Sequence, residues 1–150
     1  MATWAEFENE APELAAQGRE ILYRHGDGEA LIATVRGDSL PRVHPINVGI
    51  TDSHLWAFIM DGSPKGRDLG SDGRYALHAH VDPGAPSEFG VRGRAVRVDS
   101  EEVRSHVAAG WYFDVDDGYL LFDLSLESAL LGLRGPDEWP PRYRAWTASA

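Results

Sequence analysis

Two short polar connections in the middle of the chain constrain its fold more than any other feature. Residues 37–39 read Gly-Asp-Ser and residues 51–53 read Thr-Asp-Ser, and they separate apolar runs at 31–35, 42–50 and 55–60. Gly, Asp and Ser favour tight turns, and links this short join antiparallel strands, whereas parallel strands need a crossover of roughly a dozen residues. This part of the chain therefore predicts a meander of three antiparallel strands.

The segments after the meander add further strands and a few helices. Apolar runs at 75–81 and 89–98 predict two more strands, and the run at 119–133 alternates like a strand to about residue 125, beyond which the pattern is ambiguous. The tail, 136–150, predicts a last strand or an extended arm. Apolar residues at helical spacing predict a helix over 10–24, and an acidic start at residues 100–102 predicts a second one to about 109.

A small barrel is the fold class that accommodates this pattern best. Six to seven strands leave long apolar edges exposed unless the sheet closes on itself. We therefore predict a mainly β (α+β) fold, an antiparallel barrel with a few capping helices. The 150 residues suit one domain, 1–150.

Composition excludes several kinds of function. The chain has no cysteine, which rules out disulfides, thiol catalysis and Cys-based metal sites. No 18-residue apolar run is present, and the acidic first 16 residues do not resemble a signal peptide, so we expect a cytoplasmic protein without a membrane span. A net charge of −10 opposes nonspecific binding to nucleic acid or anionic lipid. An anionic ligand must therefore be held by a local basic site.

Residues 61–69, Asp-Gly-Ser-Pro-Lys-Gly-Arg-Asp-Leu, form a candidate phosphate site. Ser63 is a good helix N-cap and Pro64 suits the first helical position, so we predict that a short helix begins at Pro64. The chain has 14 basic residues, and the single lysine among them, Lys65, lies here with Arg67. Free N–H groups at a helix start and two nearby cations attract an anion. The alternative is a surface helix in which Lys65 and Arg67 pair with nearby carboxylates, namely Asp61, Asp68 or Asp72.

The order of these motifs resembles the pyridoxamine 5'-phosphate oxidase-like family of flavin-binding split barrels. The resemblance rests on Leu-Pro-Arg-Val-His-Pro-Ile at 40–46, Gly-Ser-Pro-Lys-Gly-Arg-Asp-Leu at 62–69, Tyr-Ala-Leu-His at 75–78 and Val-Arg-Gly-Arg-Ala at 91–95. In that family an arginine of the second strand and a lysine of a Ser-x-Lys segment hold the flavin phosphate. The matching residues are Arg42 and Lys65, with Ser63 and Arg67 as further candidate contacts.

The resemblance also implies which residues lie along the flavin ring. Val43, His44 and Pro45 follow the strand arginine and would run along the cofactor, while Ile59 and Met60 would lie near the ring edge.

Two positions depart from the pattern of the oxidases. Asn47 stands where the oxidases have a lysine, and Glu88 stands where they have a glutamine that contacts flavin. The resemblance therefore implies an FMN-dependent oxidoreductase acting on an unknown small molecule, with a dependence on the deazaflavin coenzyme F-420 as the alternative. A noncatalytic flavin- or haem-binding module remains a second alternative. The family resemblance further implies a homodimer with the cofactor at the subunit interface.

Other chemistry-bearing residues give weaker signals. His78 and His80 are two apart on a predicted strand and could join His44 in a metal or haem site, although such residues are more often ordinary surface or core histidines. No Gly-x-Ser-x-Gly motif supports a serine hydrolase, and the spacing of the acidic residues at 114–117 does not match a calcium loop. Three aromatic residues of the tail could stack on a planar ring or form core or dimer contacts: Trp139, Tyr143 and Trp146.

Overall fold

A computed structural model of the protein describes residues 1–149, with four helices and seven strands. The elements in chain order are α1 (Trp4–Glu10), α2 (Pro12–Leu22), β1 (Gly28–Val35), β2 (Pro41–Thr51), β3 (His54–Met60), α3 (Pro64–Ser71), β4 (Arg74–Ala79), β5 (Glu88–Val98), α4 (Glu101–Ala109), β6 (Tyr119–Leu133) and β7 (Arg142–Thr147).

Six strands close into an antiparallel barrel, as the sequence predicts. The strand order is β3-β2-β1-β4-β5-β6-β7, and β3 also pairs with β6, which closes the sheet. β7 pairs with the second half of β6 and lies outside this closure. Closure removes the open edges of β3 and β6, both of which carry many apolar residues.

The contact between β2 and β3 is much shorter than the one between β1 and β2. β1 and β2 pair over eight residues, whereas β2 and β3 pair over three, Gly49–Thr51 with His54–Trp56. Residues 57–60 of β3 have no partner in β2, although on the other edge of β3 residues 56–60 pair with β6. We call the resulting gap, between residues 41–48 of β2 and 57–60 of β3, the split. α3 follows directly after β3 and therefore lies beside the split.

Alternation along the strands places one side chain in two inside the barrel. On β1 and β2 the buried inward residues include Ile32, Thr34 and Val48. The core also includes Trp4 and Phe7 from α1, where Phe7 contacts Trp146 at a ring-centroid distance of 4.7 Å. A second, smaller cluster lies on the outside of the barrel, where α4 covers part of β3 and β6.

The structure corrects or completes three of the predicted boundaries. The helix predicted over 10–24 forms as α2, which begins at Pro12, but a separate helix, α1, capped by Thr3, precedes it and was not predicted. Thr3 and Glu6 form a capping box, in which the Glu6 N–H donates to the Thr3 hydroxyl at 3.2 Å. The strand predicted over 75–81 ends at Ala79, and β6 continues as a strand to Leu133 because β5 and β7 pair with its second half. The tail does form a strand, β7.

No helix within residues 1–149 is long and apolar enough to cross a membrane.

Candidate functional site

The start of α3 is built as predicted but offers few free backbone donors. Ser63 caps the helix, since its hydroxyl accepts from the Gly66 N–H at 3.2 Å and donates to the Met60 carbonyl at 2.6 Å. Pro64 has no N–H, and the Arg67 N–H donates to the Ser63 carbonyl at 2.9 Å. Among the described residues, the Lys65 N–H is therefore the one first-turn donor left for a ligand. Side chains, rather than a set of backbone donors, must supply most of any anion binding here.

Lys65 reaches across the split. Its Nζ donates to the Pro45 carbonyl at 3.1 Å, so α3 is tied to the part of β2 that has no partner in β3. Burial lowers the pKa of Lys65 below the usual value for lysine. Within residues 1–149 no carboxylate pairs with this ammonium, so a partly buried positive charge has only a neutral carbonyl as its protein partner.

The surface-helix alternative does not describe this segment. Arg67 donates to the Gly62 carbonyl at 2.9 Å and, in the part of the chain that the structure describes, makes no ion pair. Asp68 pairs with Arg42 instead, and Asp72 pairs with Arg74 at 2.6 Å. Two of the three carboxylates named as partners for Lys65 and Arg67 are thus directed to other cations, and Asp61 forms no ion pair within residues 1–149.

Lys65 lies in the wall of a cavity of about 550 Å³ at the split. This volume lies within the range of small-molecule and cofactor sites. The cavity combines aromatic and apolar walls with a few polar groups, and its lining consists of Glu29, Pro45, Ile46, Asn47, Phe58, Met60, Ser63, Lys65, His80, Phe113 and Tyr119. A planar ring could pack against such walls while its charged substituent contacts Lys65.

Arg42, the other predicted phosphate ligand, is held by a buried carboxylate. Its Nε and Nη2 each donate to Asp68 at 3.0 Å, and the Asp68 side chain is only 4% exposed. Thr34 donates to the same carboxylate at 2.7 Å. Burial acts to raise the pKa of Asp68, but the hydrogen bonds from Thr34 and Arg42 outweigh it, and the pKa lies below its usual value. Arg42 keeps unused N–H donors, but its charge is compensated.

This network also determines the tautomer of His44. The His44 Nε2 lies 3.0 Å from the Thr34 hydroxyl, whose single proton is donated to Asp68. The hydroxyl can therefore only accept from His44, so Nε2 carries the proton and Nδ1 is an acceptor. Burial and the charges of Lys65 and Arg42 lower the pKa of His44, which favours the neutral ring, although Asp68 opposes them.

Strand alternation separates the residues predicted to follow the cofactor. Arg42 and His44 are on the same side of β2 as the buried Ile46 and Val48, and they contact the network around Asp68. Pro45 is on the opposite side and lines the 550 Å³ cavity. Val43 shares that outer side but lines a different depression, further along the sheet.

Three other predicted contacts lie away from the cavity or have no free surface. Ile59 is 1% exposed and belongs to the barrel core, so its side chain is not available to a ligand in this conformation. Glu88 lies at the start of β5 opposite Gly132, beside Tyr143 of β7, and lines none of the cavities at the split. Arg67 is exposed and lies outside the cavity wall. Met60, Ser63 and Lys65 do line it.

The two strand histidines do not form a pair. β4 ends at Ala79, so alternation does not extend to His80. His80 lines the cavity at the split, whereas His78 lines the depression on the outer sheet face. No group of three or more His, Asp or Glu side chains suited to a metal ion occurs among residues 1–149. His78 and His80 therefore face different parts of the surface, and their positions do not support the alternative of a shared metal or haem site.

Four of the eleven residues that line the cavity were not singled out from the sequence. Glu29, Phe58, Phe113 and Tyr119 come from β1, β3, the loop after α4 and the start of β6. They lack a common motif because the fold, not sequence proximity, brings them together. Phe58 carries the one available signal, since it alternates with Met60 on a strand predicted to flank the site.

Comparison with known proteins identifies the fold. The chain resembles a heme binding protein from Mycobacterium smegmatis (TM-score 0.65, 18% identity, 88% of this chain and 57% of that chain). It also resembles PhzG from Burkholderia lata 383 in complex with tetrahydrophenazine-1-carboxylic acid (TM-score 0.66, 15% identity, 95% and 91%). A third structure is a putative pyridoxamine 5'-phosphate oxidase from Listeria innocua (TM-score 0.60, 15% identity, 76% and 94%).

These similarities show that the chain has the split-barrel fold of pyridoxamine 5'-phosphate oxidase-like proteins. The chain spans a little over half of the length of the Mycobacterium protein, 57%. No protein-family model matches the sequence, and no curated protein matches it.

Proposed function

We propose that the cavity at the split binds FMN and that the protein is a flavin-dependent oxidoreductase acting on a small molecule. The observation that carries this proposal is Lys65, a partly buried ammonium without a carboxylate partner in residues 1–149, in the wall of an aromatic cavity. An anion beside Nζ would compensate the charge that the protein leaves uncompensated.

The residues of the cavity fit a phosphorylated aromatic cofactor. Lys65 has three N–H donors and uses one on the Pro45 carbonyl, which leaves two for a phosphate, together with its own backbone N–H. Phe58, Phe113 and Tyr119 provide ring faces and edges for an aromatic system. Arg42 does not line this cavity, and Asp68 compensates its charge.

A bound flavin would supply the hydride and electron transfer itself. The chain would supply binding, orientation and partial exclusion of water, and a protein acid or base is not required for such chemistry. The split-barrel fold hosts this kind of cofactor in the family that the sequence resembles, which supports the assignment by analogy.

The test compares FMN with riboflavin on the full-length chain. We expect FMN to bind much more tightly, since riboflavin lacks the phosphate. Lys65→Ala should lower the affinity for FMN roughly tenfold to hundredfold, which corresponds to the loss of a charge-assisted hydrogen bond of roughly 1.5 to 3 kcal/mol. Riboflavin affinity should not change. Arg36→Ala is the matched control, because Arg36 is an exposed cation of the β1–β2 turn paired with Asp38.

Equal affinities of the wild-type protein for FMN and riboflavin would refute the phosphate contact. Coenzyme F-420 also carries a phosphate and a flavin-like ring. The same titration with F-420, followed by a direct competition with FMN, ranks the affinities of the protein for the two cofactors. Turnover with a reduced nicotinamide, reduced F-420 or oxygen then separates an oxidoreductase from a module that only binds the cofactor.

Haem is the less favoured occupant. One similar structure is a heme binding protein, and His80 lines the cavity. However, the His80 Nε2 already donates to the Ala30 carbonyl at 3.2 Å, and the His44 Nε2 donates to Thr34. The absorption spectrum of the purified protein distinguishes haem from both flavins.

We further propose that the protein is a homodimer with the cavity next to the subunit interface. One outer face of the sheet carries an in-register row across six strands: Pro45, Leu31, His78, Gly90, Leu130 and Ala145. This row is mostly apolar, and all of its members except Pro45 border, together with Val43, a depression of about 650 Å³. Pro45 belongs both to the row and to the cavity wall, so a second copy on this face would border the cavity.

Light scattering at micromolar concentration tests the dimer, with an expected mass of twice 16.5 kDa. Val43→Glu should produce monomers, since Val43 is 66% exposed on the proposed interface. Val96→Glu is the matched control, because Val96 is a strand valine exposed to 58% that lies outside this face. A monomeric wild-type protein would contradict the proposal.

A further inference from the structure

The cavity at the split has a second polar end that no phosphate contact explains. Glu29 of β1 lies directly opposite Asn47 of β2, so both side chains project from the same face, and both line the cavity. His80 lies beside them, since its backbone N–H approaches the Glu29 carbonyl at 3.4 Å. This group of three, Glu29, Asn47 and His80, is the acceptor end of the cavity.

The chemistry of this end favours a ligand that donates hydrogen bonds. Glu29 can only accept when ionised, and its one ion-pair partner in residues 1–149 is His25, at 3.6 Å. The His80 Nε2 donates to the Ala30 carbonyl, so the neutral ring presents Nδ1 as an acceptor. Neither lysine nor arginine neutralises Glu29 within the described part of the chain.

The acceptor end is held in place from outside the cavity. Arg24, two residues after the end of α2, donates to the carbonyls of Ala85 and Ser87 at 3.0 and 2.9 Å and also to the carbonyl of His80. His25 lies between Glu29 and Asp82, 3.3 Å from the Asp82 carboxylate. The segment that carries His80 is therefore fixed to α2, which favours a preorganised site.

The two charged ends are separated by a distance set by the sheet. Lys65 is anchored at Pro45, two residues along β2 from Asn47, and Glu29 is one strand further. Two residues of about 3.3 Å and one strand spacing of about 4.8 Å give a separation on the order of 8 Å. A single small molecule, or two ligands side by side, can span such a distance.

We propose that Glu29 binds a protonated amine of the small molecule on which the protein acts, with Asn47 and His80 as further acceptors. This inference deepens the proposed function, because it names the substrate class of the same cavity as cationic amines that bear an aromatic or apolar body. Glu29 is the residue that selects the amine over neutral and anionic analogues.

The test uses three probes of similar shape and different charge, without any flavin. Benzylamine, benzyl alcohol and benzoate are titrated onto the full-length protein and followed by NMR through the backbone amide signals of Glu29 and Asn47. We expect benzylamine to bind the most tightly and benzoate the most weakly. Glu29→Gln should lower the affinity for benzylamine by about tenfold or more and leave the affinity for benzyl alcohol unchanged.

Glu127→Gln is the matched control, because Glu127 is an exposed glutamate on β6 outside the cavity. It removes the same charge, so an equal loss of benzylamine affinity in both variants would show nonspecific attraction to an acidic protein and overturn the proposal. Equal binding of all three probes to the wild-type protein would also overturn it, even if Glu29→Gln were to misfold. None of the probes carries a phosphate, so the two proposals are tested separately. A negative result with the amine does not argue against FMN binding, and a negative result with FMN does not argue against amine binding.

Discussion

Asp68→Asn tests whether Arg42 is part of the scaffold rather than a free phosphate ligand. The substitution keeps the size of the side chain and removes a charge that receives hydrogen bonds from Thr34 and from two nitrogens of Arg42. Removing one partner of a buried ion pair costs about 3 to 5 kcal/mol, because the other charge stays buried without compensation. The Arg42 side chain is 34% exposed and can be partly hydrated, so we expect about 3 kcal/mol.

The pH dependence provides an independent check on the same pair. The pKa of Asp68 in the folded protein lies below its usual value of 3.8. A carboxylate with a depressed folded-state pKa stabilises the protein fully above the unfolded-state pKa and loses that contribution as the pH falls through the folded-state pKa. The difference in unfolding free energy between wild type and Asp68→Asn should therefore be constant from pH 7 to about 5 and shrink below about 4.

Urea unfolding of the ligand-free protein, followed by far-UV circular dichroism at several pH values, measures both effects. A loss of about 3 kcal/mol should also lower the Tm by roughly 6 to 12 °C for a domain of this size. Asp72→Asn is the control, since Asp72 pairs with Arg74 on the surface and should contribute little. If Asp68→Asn lowered the unfolding free energy by less than about 1 kcal/mol, Asp68 and Arg42 would not form a compensated buried ion pair. The same conclusion would follow if the difference in unfolding free energy between wild type and variant were unchanged at pH 3.

Three further substitutions test the fold around the site, each by urea unfolding. Phe7→Ala should cost about 3 to 5 kcal/mol because Phe7 is fully buried in the core, and a value below about 1 kcal/mol would mean that α1 does not pack there. Gly93→Ala should destabilise the protein strongly, since a Cβ at this position would lie 1.8 Å from the carbonyl oxygen of Ser125. Gly37→Ala is the control, because a Cβ there would have no atom within 4 Å, and it should not destabilise the protein. Similar stabilities of the two variants would contradict the close approach of the strands at Gly93. Thr3→Ala should cost about 1 kcal/mol through loss of the α1 cap, and an unchanged midpoint would argue against that cap.

Local sequence was sufficient for most of the barrel. The links at 37–39 and 51–53 connect consecutive antiparallel strands as predicted, because such short connections leave no other pairing available. The start of α3 was equally predictable, since Ser63 and Pro64 determine a helix start through their own chemistry. These features depend on neighbouring residues in the sequence, so they can be predicted without knowledge of the fold.

Features that depend on residues distant in the sequence could not be predicted from local sequence. Arg42 was expected to bind a phosphate, but Asp68, 26 residues later, occupies two of its nitrogens. Nothing local distinguishes Asp68 from Asp61 or Asp72, because the choice of cation follows from the packing of α3 against β1. The same limitation hid α1, whose Trp4 and Phe7 are buried only because the barrel offers them a surface.

Alternation along β2 explains why one predicted site became two environments. In an extended strand, neighbouring side chains project to opposite faces, so a motif that reads as continuous in sequence is divided in space. Arg42 and His44 fall on the inner side, where Asp68 compensates the guanidinium. Pro45 falls on the outer side and lines the cavity, and its backbone carbonyl accepts from Lys65 of α3. The uncompensated charge is therefore on α3 rather than on β2. An anion at the cavity would be attracted mainly by Lys65, and affinity for a phosphate should follow this one ammonium more closely than it follows Arg42.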